Sequence, residues 1–245
     1  MILNEESCHK LLLFDPLGLV SPVVLEARFI LQQLCKLKIG WDDPIPGDIA
    51  AQWIDWKEAL QQLSGIQIPR CYFKQKQSSV ELHVFSDAST LGYGACAYFR
   101  STCQDHLVSV LITGKSRVAP VKTVSVPRLE LQAAVTATRL AAQIKRETEL
   151  MIIKTTYWTD SQVVLAFIRN TTRRFKTFVA NRLTEIHEHT EVHEWRHVAS
   201  QDNVADLASR GIKATEKEKI NRWLYGPAFL KEDEETWQQE KQSEA

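Results

Sequence analysis

The sequence predicts an α/β fold in which a mixed five-stranded sheet is flanked by helices, with a helical segment ahead of it. Residues 80–113 contain three apolar runs joined by short loops, which is typical of an antiparallel meander. An alanine-rich helical pattern at 124–144 and an apolar, β-rich run at 152–158 follow. Acidic residues stand where these strands end or helices begin, so we expect a site at one edge of the sheet.

The N-terminal part, residues 1–75, is expected to form a helical appendage. Ser21 followed by Pro22 favours a helix start, and that helix is expected to run to about Lys38. A second set of apolar residues recurs at helical spacing before Gly65: Ile49, Trp53, Trp56, Leu60 and Leu63. The two tryptophans are interpreted as packing residues, and no chemistry is predicted in this segment.

Strand and helix patterns continue through residues 78–213, the predicted main domain. Strands are predicted at 80–86, 93–99, 107–113, 152–158 and 192–198, and helices at 124–144, 162–169, 175–187 and 203–209. The order βββαβααβα corresponds to a mixed sheet flanked by helices. Residues 214–245 are expected to be a linker with an acidic tail that is frayed from about Glu232.

Composition narrows the class of protein. The chain has 245 residues and a formal net charge of zero, so a nucleic-acid partner has to be recognised by a local patch and not by bulk charge. The five cysteines are odd in number and form no Cys-x-x-Cys pair, which favours reduced thiols. Neither a signal peptide nor a membrane-length apolar run is apparent. We therefore expect an intracellular protein, cytoplasmic or nuclear, without membrane contact.

Four acidic residues stand at junctions between predicted elements and are interpreted as one site. Asp87 and Asp160 follow strands, and Glu130 and Asp206 lie near helix starts. Three or four converging carboxylates bind two Mg²⁺ ions about 4 Å apart, which can clamp an in-line phosphoryl displacement. Taken singly, each acid is better explained as a helix cap or a turn residue. The joint pattern favours the metal site.

Four motifs in this order resemble the type 1 ribonuclease H domain of a retroelement: SDAS, PRLEL, WTDS and N-x-AD-x-ASR. The segments FDPLGLVSP, WDDPIP and WLYGPAFL are similar to those of the BEL/Pao group of LTR retrotransposons, whose polyproteins carry them between polymerase and integrase. Regions of this kind also carry the label Pao retrotransposon peptidase. The resemblance covers nearly the whole chain.

The resemblance implies a ribonuclease H-like fold, with residues 1–75 similar to the connection region of a reverse transcriptase. It implies hydrolysis of the RNA strand of RNA–DNA hybrids, with Asp87, Glu130, Asp160 and Asp206 as ligands of two Mg²⁺ ions or of Mn²⁺. Besides the hybrid, the implied partners are the polymerase and integrase parts of the same polyprotein. The alternative is a nucleic-acid-binding or structural remnant without catalysis.

His197 matches a histidine that precedes the last aspartate in such enzymes and assists product release or proton transfer. The loop after it, VASQDN, lacks the glycine that is usual there. The alternative is a strand-end histidine with no catalytic role, and the sequence leaves both interpretations open.

A basic run without acids, residues 169–182, is predicted to contact the nucleic-acid backbone. Its candidates are Arg173, Arg174, Lys176 and Arg182, with two phenylalanines between them. The alternative is a solvated helix face whose phenylalanines belong to the core. Ser89 and Ser161 are predicted to touch sugar or phosphate close to the carboxylates.

Two other catalytic motifs are rejected on the sequence. His193 to His197 matches HExxH, but zinc binding needs both histidines on one helix, and the alternation around them predicts a strand. An aspartic peptidase needs Asp-Thr/Ser-Gly, and neither SDAS nor TDSQ has that glycine. The polymerase motif Tyr-x-Asp-Asp does not occur in the sequence.

Overall fold

A five-stranded sheet with helices on both faces organises the chain. The computed structural model describes residues 14–40, 43–73, 79–103, 106–170, 172 and 174–237. No helix in these ranges combines the length and the apolar character that a membrane crossing requires. The α/β class expected from the sequence, a mixed five-stranded sheet flanked by helices, is confirmed.

The strands pair in the order β3-β2-β1-β4-β5. They are β1 Ser79–Ala88, β2 Gly92–Cys103, β3 His106–Val118, β4 Met151–Thr159 and β5 Trp195–His197. Strands β1 to β3 form the antiparallel meander, whereas β4 is parallel to β1 and β5 is parallel to β4. Two parallel neighbours therefore end at the same edge of the sheet.

The last strand is shorter than the sequence predicts. The run 192–198 alternates as a strand does, but Val192–Glu194 forms a 3₁₀ turn and only Trp195–His197 pairs with β4. A reciprocal capping box explains the difference, since Glu194 accepts a hydrogen bond from the amide of Glu191 at 2.8 Å and the Glu191 side chain caps the turn in return.

Seven α-helices lie in the described ranges. They are α1 Ser21–Leu37, α2 Gly47–Ala59, α3 Val126–Glu147, α4 Gln162–Arg169, α5 Thr177–His189, α6 Asp206–Arg210 and α7 Lys217–Tyr225. Proline in the first turn marks the starts of α1 and α3, where its missing N–H costs nothing. Helix α7 was not predicted from the sequence.

The two faces of the sheet bury separate cores. Val80, Leu82 and Val84 of β1 face helices α3, α4 and α5, as the alternation predicts. Fully buried alanines such as Ala134 and Ala137 let α3 approach the sheet closely. The opposite face carries Phe85, Tyr98 and Trp158 and is covered by α1, α6, α7 and the residues after α7.

Residues 214–237 pack on this second face, which differs from the linker expected at 214–245. Trp223 is 1% exposed and Leu230 is completely buried. The Nε1 of Trp223 donates to the Leu19 carbonyl at 2.9 Å, and the Nε of Arg100 donates to the Leu230 carbonyl at 2.8 Å. The segment packs on the sheet because its large apolar side chains are buried there, although many of its other residues are acidic. The frayed tail was expected from Glu232, but the chain is packed as far as Trp237.

Candidate active site

The parallel strands β1 and β4 bring Asp87 and Asp160 to one edge of the sheet. Ser86 is in register with Thr159, so the two aspartates follow aligned positions. Asp87 is only 8% exposed, whereas Asp160 lies just beyond the end of β4 and is half-buried. The first and third predicted acids thus meet as the strand pattern requires.

Glu130 and Asp206 reach the same edge from two helices. Glu130 lies near the start of α3, and its Oε2 accepts a hydrogen bond of 2.7 Å from Ser161, the residue after Asp160. Asp206 is the first residue of α6 and is close enough to Asp87 to raise the pKa of that carboxyl. All four acids therefore belong to one cluster.

Three further residues hold these carboxylates and were given no role from the sequence. The Nδ2 of Asn203 donates to Oδ1 of Asp160 and to the Ser86 carbonyl, both at 3.1 Å. Ser209 donates to Asp87, and Arg210 donates to Asp206 one helical turn earlier. All three belong to the motif N-x-AD-x-ASR, so the sequence placed them beside Asp206 without showing which carboxylate each one contacts.

Burial and mutual repulsion disfavour the ionised form of the carboxyl groups in this cluster. Burial first, and then the charges of Asp160 and Asp206, raise the pKa of Asp87 to about 7, while the Ser209 hydroxyl acts in the opposite direction. Burial also raises the pKa of Glu130, with a contribution from Asp160. A cation placed among these groups would relieve both effects.

The donor chemistry fits a divalent metal, although the ligands are not assembled in advance. All four side chains offer hard carboxylate oxygens, the ligands that Mg²⁺ prefers. Within the described ranges, no three His, Cys, Asp or Glu side chains stand close enough together to hold a metal ion. Ser209, Ser161, Asn203 and Arg210 engage the carboxylates instead.

His197 lies beside this cluster, at the end of β5. It is in register with Thr159, the residue before Asp160. His193 belongs to the preceding 3₁₀ turn, so the two histidines do not share a helix. This placement supports the rejection of an HExxH zinc site.

Some of the residues predicted to contact nucleic acid are exposed, whereas others are engaged in contacts within the protein. Arg174 and Lys176 are exposed. The hydroxyl of Ser89 is buried and donates to the Ser209 carbonyl at 2.9 Å, and Ser161 donates to Glu130. The Arg182 guanidinium stacks on Phe178 at 3.5 Å from the ring centroid and donates to Gln132. Arg173 lies outside the described residues.

The strand order and the carboxylate cluster beyond β1 and β4 define a ribonuclease H-like domain. The chain belongs to the Pao retrotransposon-like RNaseH-like domain family, whose model matches residues 10–161. That match contains Asp87, Glu130 and Asp160 and ends before Asp206. The resemblance to BEL/Pao elements is thereby confirmed.

Solved structures of ribonucleases H also resemble the chain at low identity. Ribonuclease H1 of the halophilic archaeon Halobacterium salinarum is 13% identical over 58% of this chain and 98% of its own, with a TM-score of 0.35. LC11-RNase H1 in complex with an RNA/DNA hybrid is 10% identical over 58% of this chain and 97% of its own, with the same TM-score. A search of curated proteins gives no match.

Proposed function

We propose that this protein is a divalent-metal-dependent endonuclease that hydrolyses the RNA strand of RNA–DNA hybrids during retrotransposon reverse transcription. The observation that carries the proposal is the gathering of Asp87, Glu130, Asp160 and Asp206 at one sheet edge, from four separate elements. Family membership supports the same reaction class. Polymerase and integrase parts of one polyprotein remain the proposed partners.

The four carboxylates would hold two Mg²⁺ ions, or Mn²⁺, which activate water and stabilise the leaving oxygen of a phosphodiester when bound. Ser161 and Asn203 orient Glu130 and Asp160 through the hydrogen bonds described above. Arg210 would release Asp206 when the cation arrives, because one carboxylate oxygen is now bound to its guanidinium. His197 would take up or deliver a proton close to Asp160.

The exposed cations at the start of α5 would hold the hybrid across this edge. Arg174 and Lys176 precede or flank the helix start, and Arg128 at the start of α3 lies over the Phe178 ring at 5.1 Å. Arg182 stacks on the same ring at 3.5 Å and donates a hydrogen bond to Gln132, so its main role is to join α5 to α3. We therefore assign the backbone contacts to Arg174 and Lys176 ahead of Arg182, Ser89 and Ser161.

Cleavage of a labelled RNA–DNA hybrid by the purified protein in Mg²⁺ or Mn²⁺ tests the proposal. Wild type is expected to cut the RNA strand, and Asp87→Asn and Asp160→Asn are expected to lose cleavage while still binding the hybrid. Asp55→Asn, an exposed aspartate in α2, is the matched control and should cleave normally.

A second function, hybrid binding without catalysis, is favoured by the carboxylates that are not assembled for metal in the described ranges. A folded wild type that binds the hybrid and leaves it intact in both metals would establish this second function and overturn the first.

A further inference from the structure

A cleft along the edge strand β3 combines positive charge with an aromatic wall. Its volume is about 550 Å³, and it lies between the N-terminal segment, β3 and the C-terminal half of α3. Arg28, Lys115 and Arg117 line it together with Tyr72. We name this region the edge cleft. The sequence alone predicts no chemistry for any of these residues.

Two of the three cations of the edge cleft have no carboxylate partner within the described part of the chain. No described carboxylate lies within salt-bridge distance of Lys115 or Arg117, and both side chains are exposed. Two acids also line the cleft, but Asp15 accepts hydrogen bonds from the amides of Leu19 and Val20, and Glu147 is paired with Arg146. Lys115 and Arg117 thus present unpaired positive charge in the cleft, whereas Asp15 partly offsets the charge of Arg28.

Arg117 is also close enough to Arg28 and to Lys115 to repel both. Burial lowers the pKa of Arg28, and the charge of Arg117 lowers it further, while Asp15 acts in the opposite direction. The pKa of Lys115 is lowered by burial first and then by Arg117 and Arg139. Arg28 is fixed in place, since its Nη1 donates to the Ser116 carbonyl at 2.6 Å. Holding like charges together costs stability, which a bound polyanion would recover.

We propose that the edge cleft binds the phosphates of a nucleic-acid strand at a second site, apart from the carboxylate cluster. Gln143 lines the cleft and lies thirteen residues after Glu130 on α3, about 20 Å along the helix axis. This inference rests on the proposed function for its substrate, but its residues take no part in the chemistry. It gives the N-terminal segment a binding role, because Arg28 belongs to α1.

The aromatic wall favours nucleic acid over an acidic protein segment. Tyr72 is 41% exposed and meets Phe99 edge-on, with ring centroids 5.6 Å apart. Cations beside an exposed ring are typical of surfaces that track a nucleic-acid backbone and stack its bases. Charged residues on an edge strand also deter pairing with other chains, but that role needs neither a cleft nor Arg28.

The test compares the double variant Lys115→Gln/Arg117→Gln with a matched pair, Lys57→Gln/Lys217→Gln, which removes the same charge from α2 and α7. Binding of a labelled 24-base-pair RNA–DNA hybrid is measured by fluorescence anisotropy from 50 to 300 mM salt. The cleft variant is expected to raise Kd about tenfold at 100 mM salt and to lower the salt slope by about two. The matched pair should change neither by more than about twofold.

Kinetics and competition separate the possible failures. Because the cleft is remote from the carboxylates, the double variant should raise KM and leave kcat within about twofold of wild type. Equal Kd values and salt slopes for the two double variants would overturn the cleft proposal, whether or not wild type cleaves RNA. Competition by polyglutamate as effective as by polyuridylate at equal ionic strength would also overturn it, in favour of an acidic protein partner. If wild type does not cleave RNA but the two double variants still differ in Kd and salt slope, only the proposed function is overturned.

Discussion

His83 shows how a single buried residue selects one protonation state. It is completely buried on the second face of the sheet. The Nε1 of Trp158 donates to its Nδ1 at 3.2 Å, so that nitrogen is an acceptor, and its Nε2 lies 3.1 Å from Glu81 as the donor. Both contacts are satisfied only by the neutral ring with the proton on Nε2. Burial accordingly lowers the pKa of His83.

Glu81 should make the protein sensitive to acid over a defined range of pH. The hydrogen bond from His83, and next that from Arg100, lower the pKa of Glu81 from 4.5 to about 2. Since the folded pKa is depressed, the carboxylate stabilises the fold above pH 4.5, and this contribution is lost as pH falls towards 2. We expect about 1–2 kcal/mol after allowance for the partial exposure of Glu81.

Urea unfolding of wild type and Glu81→Gln between pH 2 and 6 measures this contribution. The difference in free energy of unfolding should shrink as the pH falls through the range from 4.5 to 2. Glu58→Gln, at an exposed position of α2, is the control, and its difference from wild type in free energy of unfolding should not change with pH. A difference for Glu81→Gln that does not change with pH would contradict the assigned role.

At the scale of elements, Ser161 joins two of them. Its Oγ accepts a hydrogen bond from the amide of Val164, which caps α4, and donates to Glu130 at the start of α3. Ser161→Ala should therefore lower the free energy of unfolding by about 1 kcal/mol and reduce kcat about tenfold with little change in Kd for the hybrid. Ser161→Thr keeps the hydroxyl and should recover most of both. Hybrid binding and single-turnover cleavage separate the effects, since a direct phosphate contact would instead raise Kd.

The elements themselves could be predicted because local patterns encode them. Alternation in β1 and proline at the start of α3 were sufficient, and the acids after β1 and β4 identified the active edge. The partners of those acids were hidden, since the spacing between Asp87 and Ser209 says nothing about which hydroxyl reaches which carboxylate. The cations of the edge cleft come from α1 and β3, far apart in sequence, and no local pattern joins them.

At the scale of the whole molecule, both terminal segments close on β3. Gly18 has φ of +69°, and a Cβ there would come within 1.8 Å of the Gly114 carbonyl oxygen. The sequence predicted α1 but not this close approach, since a glycine in a sequence indicates conformational freedom and does not show which residue it contacts. The proposed division at residues 75–78 and 213–214 thus separates segments that share packing with one sheet.

Gly114 is the position where this shared packing can be tested. It lies on β3, and a Cβ added there would come within 2.3 Å of Cζ2 of Trp223 and 3.1 Å of the Gly18 carbonyl oxygen. Gly114→Ala should therefore lower the free energy of unfolding by about 1–3 kcal/mol, because the buried Trp223 ring has to move. Gly65→Ala is the matched control, since a Cβ at Gly65 meets no atom within 4 Å, and it should change stability by less than about 1 kcal/mol. Urea unfolding followed by tryptophan fluorescence measures both variants. Equal stabilities would show that the N-terminal and C-terminal segments do not pack against β3 as described, and the division into separate segments would then hold.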